Sequence, residues 1–114
     1  MTIQTKRIYE PFKKSDGYRV LVDRLWPRGI KKEEAHIDIW MKDVAPTTEL
    51  RNWFDHDPGK WTQFIRKYRK ELTKSAAFEQ LGSFLKEHNT ITLLYGAKDE
   101  QYNQALALKK FLQG

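Results

Sequence analysis

The stretch Asp16-Gly17-Tyr18-Arg19-Val20-Leu21-Val22-Asp23-Arg24-Leu25-Trp26-Pro27-Arg28-Gly29 decides the fold. Val20, Leu21 and Val22 form a short apolar run rich in β-branched residues and entered through a glycine turn, the pattern of an interior strand. The chain then passes at once into Asp23, Arg24 and Arg28, which cannot be buried unpaired without a large desolvation cost. Charge at the end of an interior strand needs partners, inside the protein or from a ligand. The junction is therefore the candidate site.

Working outward, Arg19 to Asp23 read as the second strand of the chain, following a loop over residues 12–17. Ile3 to Tyr9 alternate as a first strand that Glu10-Pro11 ends. Lys31 to Ala35 hold one helical turn, and Ile37 to Met41 suggest a third strand or an extended segment. Thr47 is placed to cap a helix that presents Leu50, Trp53 and Phe54 on one face. Asp57 caps the next, with Pro58 at the first helical position, where its missing N–H costs nothing, and the helix runs to about Thr73. Ala77, Phe78, Leu81, Phe84 and Leu85 recur at helical spacing up to His88-Asn89. Thr90 to Tyr95 is the clearest strand, and it leads through Gly96-Ala97-Lys98-Asp99 into a last helix carrying Ala105, Leu108, Phe111 and Leu112. Short apolar strands separated by helices predict one α/β domain over residues 1–114, a small, largely parallel sheet flanked by helices. Ligands of such sheets bind beyond the carboxyl ends of the strands.

Composition narrows the chemistry. Four Trp, five Tyr and six Phe give a chain of 114 residues ample apolar surface despite a charged fraction of 32%, which argues for a folded core over disorder. Cysteine is absent, which excludes disulfides, thiolate nucleophiles and thiolate metal sites. The first residues show no apolar signal core, and no run is long enough to span a membrane, so a cytoplasmic protein without membrane contact is expected. The net charge of +6 favours phosphate-bearing partners if it is concentrated on one face. On the helix from Lys60 to Lys74, Trp61, Phe64, Ile65, Tyr68 and Leu72 share one side, and Lys60, Arg66, Lys67, Arg69, Lys70 and Lys74 fall on the rest. That arrangement reads first as the solvated outer face of a packed helix.

If the strands are parallel neighbours, Asp23 to Gly29 and Gly96 to Asn103 emerge at the same sheet edge and form one pocket. Lys98 and Asp99, the latter as N-cap of the last helix, would bring a helix start to that pocket. Arg24, Arg28 and Lys98 are then the anion-binding candidates, with Trp26 and Asn103 beside them; Trp26 before Pro27 reads first as an apolar plug under the loop. Asp23 and Arg24 could equally tie strand ends together by pairing with Lys98 or Arg19. Asp23, Asp99 and Asp43 are the carboxylates able to serve as a general base. His56 lies between Asp55 and Asp57, yet adjacent loop residues rarely converge on one ion, so no metal and no cofactor is expected.

Nearly the whole chain resembles the domain-of-unknown-function family 488, in its short YeaO-like branch. The resemblance is carried by Arg7-Ile8-Tyr9-Glu10, by the stretch from Asp16 to Gly29, by Trp40-Met41-Lys42-Asp43-Val44-Ala45-Pro46, by Glu49 to Trp61, by Leu93 to Asp99 and by Asn103. It implies a fold and supplies no activity. Tyr102 stands where that family commonly has His, and Lys31 where Ser often follows the Arg-Gly turn, so a mechanism needing that His does not transfer.

Two functions follow. The first is a site for a small anionic molecule bearing phosphate or carboxylate, as in a hydrolase or transferase, although no Ser or Cys nucleophile is in evidence. The second is a non-catalytic, sequence-indifferent nucleic-acid-binding or interaction module using Arg66 to Lys74 with Lys13, Lys14, Lys31 and Lys32.

Overall fold

The computed structural model describes residues 2–113. The chain runs through β1 (Thr2–Arg7), β2 (Tyr18–Leu21), β3 (Ile39–Trp40), α1 (Thr48–Phe54), α2 (Trp61–Leu72), α3 (Ala76–Glu87), β4 (Thr90–Tyr95) and α4 (Gln104–Gln113). Short 3-10 turns occupy Lys14–Asp16, Lys32–Glu34, Lys42–Val44 and Pro58–Lys60. The strands form one sheet in the order β1-β4-β2-β3, with every pairing parallel. This is the α/β domain expected from the sequence.

The two faces of the sheet are covered differently. Val20 and Val22 around β2, with Ile91, Leu93 and Tyr95 of β4, point into the main core against Leu50, Phe54, Phe64, Tyr68, Leu81, Phe84 and Leu108. All four α-helices contribute to this core, so the helices lie on one side. The opposite face carries Ile8, Leu21 and Leu94, closed by Trp26, Ile30, Ala35 and Ile37 from the connection between β2 and β3 and by Trp40 of β3. All-parallel sheets are ordinarily buried on both faces. Here a long, aromatic-rich connection does on one face what helices do on the other. Fully burying each such aliphatic side chain stabilises by about 1.5–3 kcal/mol.

A charged cluster lies within this second face. Arg19 is 2% and Asp16 3% exposed. The Arg19 guanidinium pairs with the Asp16 carboxylate and donates to the carbonyls of His36 at 2.8 Å and Ala35 at 3.1 Å. Lys6 Nζ reaches Asp16 at 3.0 Å, and the Lys13 amide donates to it at 3.1 Å. Burial pushes the Asp16 carboxyl up, but the Lys6, Lys13 and Arg19 donors together hold it below its ordinary value. Arg19 pairs with Asp16 and not with Asp23, which corrects the sequence expectation. Next to it, Gly17 turns at φ +67°, and a Cβ there would lie 2.3 Å from the Thr90 carbonyl oxygen. Glycine is required at that entry to β2.

The expected elements are all present with shifted ends. β1 stops at Arg7, although the Ile8 amide still donates to the Tyr95 carbonyl at 2.8 Å. β2 stops at Leu21, and Val22 continues the ladder with one bond to Leu94 at 3.0 Å. β3 is two residues, shorter than the expected 37–41, although the Asp38 and Met41 amides on either side still donate to the Arg19 and Leu21 carbonyls of β2. Thr47 caps α1 through Leu50 N at 3.2 Å, and Asp57 caps the Pro58–Lys60 turn that runs into α2, both as read from the sequence. Asp99 is not the N-cap of the last helix. Its carboxylate accepts from the Gln101 and Tyr102 amides, and Asn103 caps α4 through Leu106 N at 3.0 Å. Among the described residues, no helix is long and apolar enough to cross a membrane.

Candidate functional site

A cleft of about 410 Å³ opens beyond the carboxyl ends of β1, β2 and β4. This size falls within the range of small-molecule sites. Its walls come from the segment after β1, the Asp23–Arg28 loop, the Ala45–Pro46 turn, α1 and the turn after it, and the Gly96–Gln104 connection into α4. The sheet edge chosen from the sequence is the edge that carries the cleft.

Asp23 sits at its inner end. One carboxylate oxygen accepts from the Gly96 amide at 2.8 Å and the other from Gln104 Nε2 at 2.5 Å. Both donors are neutral, and no ion pair of Asp23 occurs among the described residues. Burial pushes its carboxyl up to about 6, against the lowering effects of Gly96, Gln104 and the nearby Arg51 charge. A Cβ at Gly96 would stand 2.9 Å from Asp23 Oδ2, so a side chain there would have to displace the carboxylate. The Trp40 indole donates to the Asp23 carbonyl at 2.7 Å and fixes the backbone of the same residue.

Arg24 lines the cleft, but it is anchored. Its Nε donates to the Pro46 carbonyl at 3.1 Å and Nη2 to that of Ala45 at 3.0 Å, which clamps the loop to the turn before α1. The Tyr68 hydroxyl holds the same turn through the Val44 carbonyl at 2.5 Å. Arg28 is exposed on the rim, where the Tyr9 hydroxyl donates to its carbonyl at 2.9 Å. Lys98 is exposed and is not part of the cleft lining, so the three-residue clamp of Arg24, Arg28 and Lys98 does not assemble. Asp43 and Asp99 also lie outside the lining. Trp26 lines it while packing edge-on against Trp40 at 5.3 Å, with its indole N–H on the Ile30 carbonyl at 2.7 Å. Asn103 is buried there, its amide committed to the Asp99 carbonyl and its oxygen to the start of α4.

Arg51, Tyr9 and Gln104 also reach the cleft, although nothing in the sequence marks them as site residues, and so does His56, which the sequence offers only as a poor metal ligand. Arg51 projects from α1, whose other face carries Leu50 and Phe54 into the core. His56 is carried there by two successive left-handed residues, Asp55 at φ 46° and His56 at φ 52°. Such backbone is uncommon for residues other than glycine and concentrates at sites held by their surroundings. No group of metal-ligating side chains occurs among the described residues.

The lining thus presents Arg24, Arg28 and Arg51 against the single carboxylate of Asp23. Neither Arg28 nor Arg51 has an ion pair among the described residues. Residues 2–114 match the family described as the inactive DUF488-N3 subclade. The uncharacterized protein YeaO of Escherichia coli (strain K12) is 46% identical over 99% of this chain and 98% of its own length. The uncharacterized proteins Mb3100c of Mycobacterium bovis and Rv3073c of Mycobacterium tuberculosis are each 38% identical over 98% of this chain and 94% of their own. No solved structure matches the chain. With the match running from β1 through α4, this chain belongs to the DUF488 family, in its inactive N3 subclade.

Proposed function

We propose that the chain binds a small anionic molecule, bearing phosphate or carboxylate, in the cleft at the strand ends and does so without transforming it. The observation that carries this reading is the charge of the lining: three guanidiniums face one carboxylate that is itself held by neutral donors. Arginine forks suit carboxylate and phosphate oxygens, and Arg28 and Arg51 are the two whose donors are not committed to holding the backbone. A carboxyl near 6 in a cleft is the kind of group a general base requires. Both its oxygens, however, already hold Gly96 and Gln104 in place, and no Ser, Thr or Cys lines the cleft as a nucleophile. The description of the subclade as inactive agrees with binding alone.

The test is calorimetric titration of sulfate and inorganic phosphate into the wild type and into a variant carrying Arg28→Ala and Arg51→Ala, at matched ionic strength. Saturable binding that the double variant loses is the expected result. Arg24→Ala is a poorer choice, since it also releases the Ala45–Pro46 turn. Absence of anion binding, with salt-sensitive oligonucleotide binding unchanged in the double variant, would overturn the cleft reading and shift attention to the outer face of α2. That face exposes Arg66, Lys67, Arg69, Lys70 and the following Lys74.

A further inference from the structure

The cleft has apolar walls that a bare ion would leave wet. The large apolar side chains most exposed to solvent are Leu25 at 66%, Phe12 at 45% and Tyr9 at 43%. Phe12 has a partner within the chain, since it stacks on His36 with ring centres 4.5 Å apart. Leu25 and Tyr9 both line the cleft, Tyr9 with the Arg7 guanidinium over one face of its ring at 4.9 Å and its hydroxyl on the Arg28 carbonyl. Exposed apolar surface gathered at a concave site, and not scattered, marks a surface that something else covers.

The rings around it are held in position. Trp26 is fixed edge-on to Trp40 and by its indole N–H, and Tyr102 is edge-on to Trp61 at 5.5 Å with 76° between the planes. Ordered aromatic walls favour a flat partner, because stacked and edge-to-face contacts add to the effect of area burial. The guanidiniums of Arg28 and Arg51 lie in the same cleft, and its volume of about 410 Å³ accommodates a ring together with an acidic group.

We propose that the ligand carries its anionic group on a planar aromatic ring, the acid meeting Arg28 and Arg51 and the ring covered by Leu25, Tyr9, Trp26 and Tyr102. This inference rests on the anion-binding reading and specifies the chemical class of its ligand. Tyr102 then has a definite role: it forms part of the wall that the ring lies against.

Methyl phosphate, cyclohexyl phosphate and phenyl phosphate separate the claims, since they share a headgroup and differ in the body attached to it. Each is titrated calorimetrically, at matched ionic strength, into the wild type and into Leu25→Ser and Tyr102→Leu. Phenyl phosphate is expected to bind about tenfold tighter than methyl phosphate. Both variants should narrow that gap and leave methyl phosphate affinity unchanged. Leu25 is mostly exposed, so its substitution tests the wall without threatening the fold. Equal binding of methyl and phenyl phosphate would overturn the ring and leave the anion reading standing. Cyclohexyl phosphate binding as tightly as phenyl phosphate would overturn planarity. A preference for phenyl phosphate that neither variant alters would place the ring elsewhere and also overturn the inference. Failure of all three phosphates to bind would remove both this inference and the reading beneath it.

Discussion

Strand β2 has an aspartate just before it and another just after it, and the protein treats the two in opposite ways. Asp16, at the entrance, is surrounded by Lys6, Arg19 and the Lys13 amide, and its carboxyl is held below the ordinary value. Asp23, at the exit, receives only the Gly96 amide and the Gln104 side chain, and its carboxyl is pushed up to about 6. Both are turned inward from the same strand. At the entrance the carboxylate is paired directly with the protein's own cations, Lys6 and Arg19, so its ions serve the fold. At the exit no cation pairs with Asp23, and Arg28 and Arg51 have no ion pair among the described residues, which leaves them for the anion proposed above.

The largest effect should come from breaking the entrance. Arg19→Ala leaves Asp16 buried with Lys6 as its remaining cation and frees the His36 and Ala35 carbonyls. Removing one member of a buried pair costs about 3–5 kcal/mol. Urea unfolding is expected to show that loss in Arg19→Ala, whereas Arg28→Ala should stay within about 0.5 kcal/mol of the wild type.

Next in size is the exit, and its sign depends on pH. The folded-state value of Asp23, about 6, lies above its ordinary 3.8, so the folded chain holds a proton that the unfolded chain releases. The neutral form supports the fold fully below about pH 4, and that support is lost as pH rises through about 6. Relative to the wild type, Asp23→Asn should therefore gain about 2–3 kcal/mol of stability between pH 4 and pH 8. Asp16 has the reverse dependence: its lowered carboxyl supports the fold at neutral pH and loses that support in acid. Denaturant unfolding at several pH values, with Asp16→Asn and Asp23→Asn side by side, should give profiles that slope in opposite directions.

Gly96→Ala should have a smaller effect, since its Cβ meets a side-chain oxygen that is able to shift, not fixed backbone. Overpacking of this kind costs about 1–3 kcal/mol. Thermal unfolding of Gly96→Ala should lie between those of Arg19→Ala and the wild type. Smaller still is the pH dependence of ligand binding. Sulfate keeps its charge across this range, so its affinity should fall as Asp23 ionises through about 6 and fall less steeply in Asp23→Asn.

Much of the exit could be read from the sequence, and little of the entrance. Val20 to Val22 and Ile91 to Tyr95 announce themselves as interior strands, and their carboxyl ends bring Asp23 and Gly96 together. Thr47 and Asp57 were legible because a cap is a local device. The cluster around Asp16 was not, because Arg19 three residues on looks like a solvated charge, and its other partners arrive from Lys6, Ala35 and His36. Arg51 and Gln104 were missed for a related reason: helix position alone does not say which exposed side chain overlooks a cleft. Asp99 offers itself as the cap of α4 because it precedes the helical pattern. Asn103 competes for the same role, and Asp99 closes the turn before it.

The most direct test is an NMR titration of the Asp16 and Asp23 carboxyl carbons from acid to mildly basic pH, with and without sulfate. Asp16 should titrate below its ordinary value and Asp23 near 6, and sulfate should move only Asp23 upward, because an anion in the cleft opposes its ionisation. Two aspartates titrating together near 4, or an Asp23 indifferent to sulfate, would contradict the opposition between the two ends of the strand.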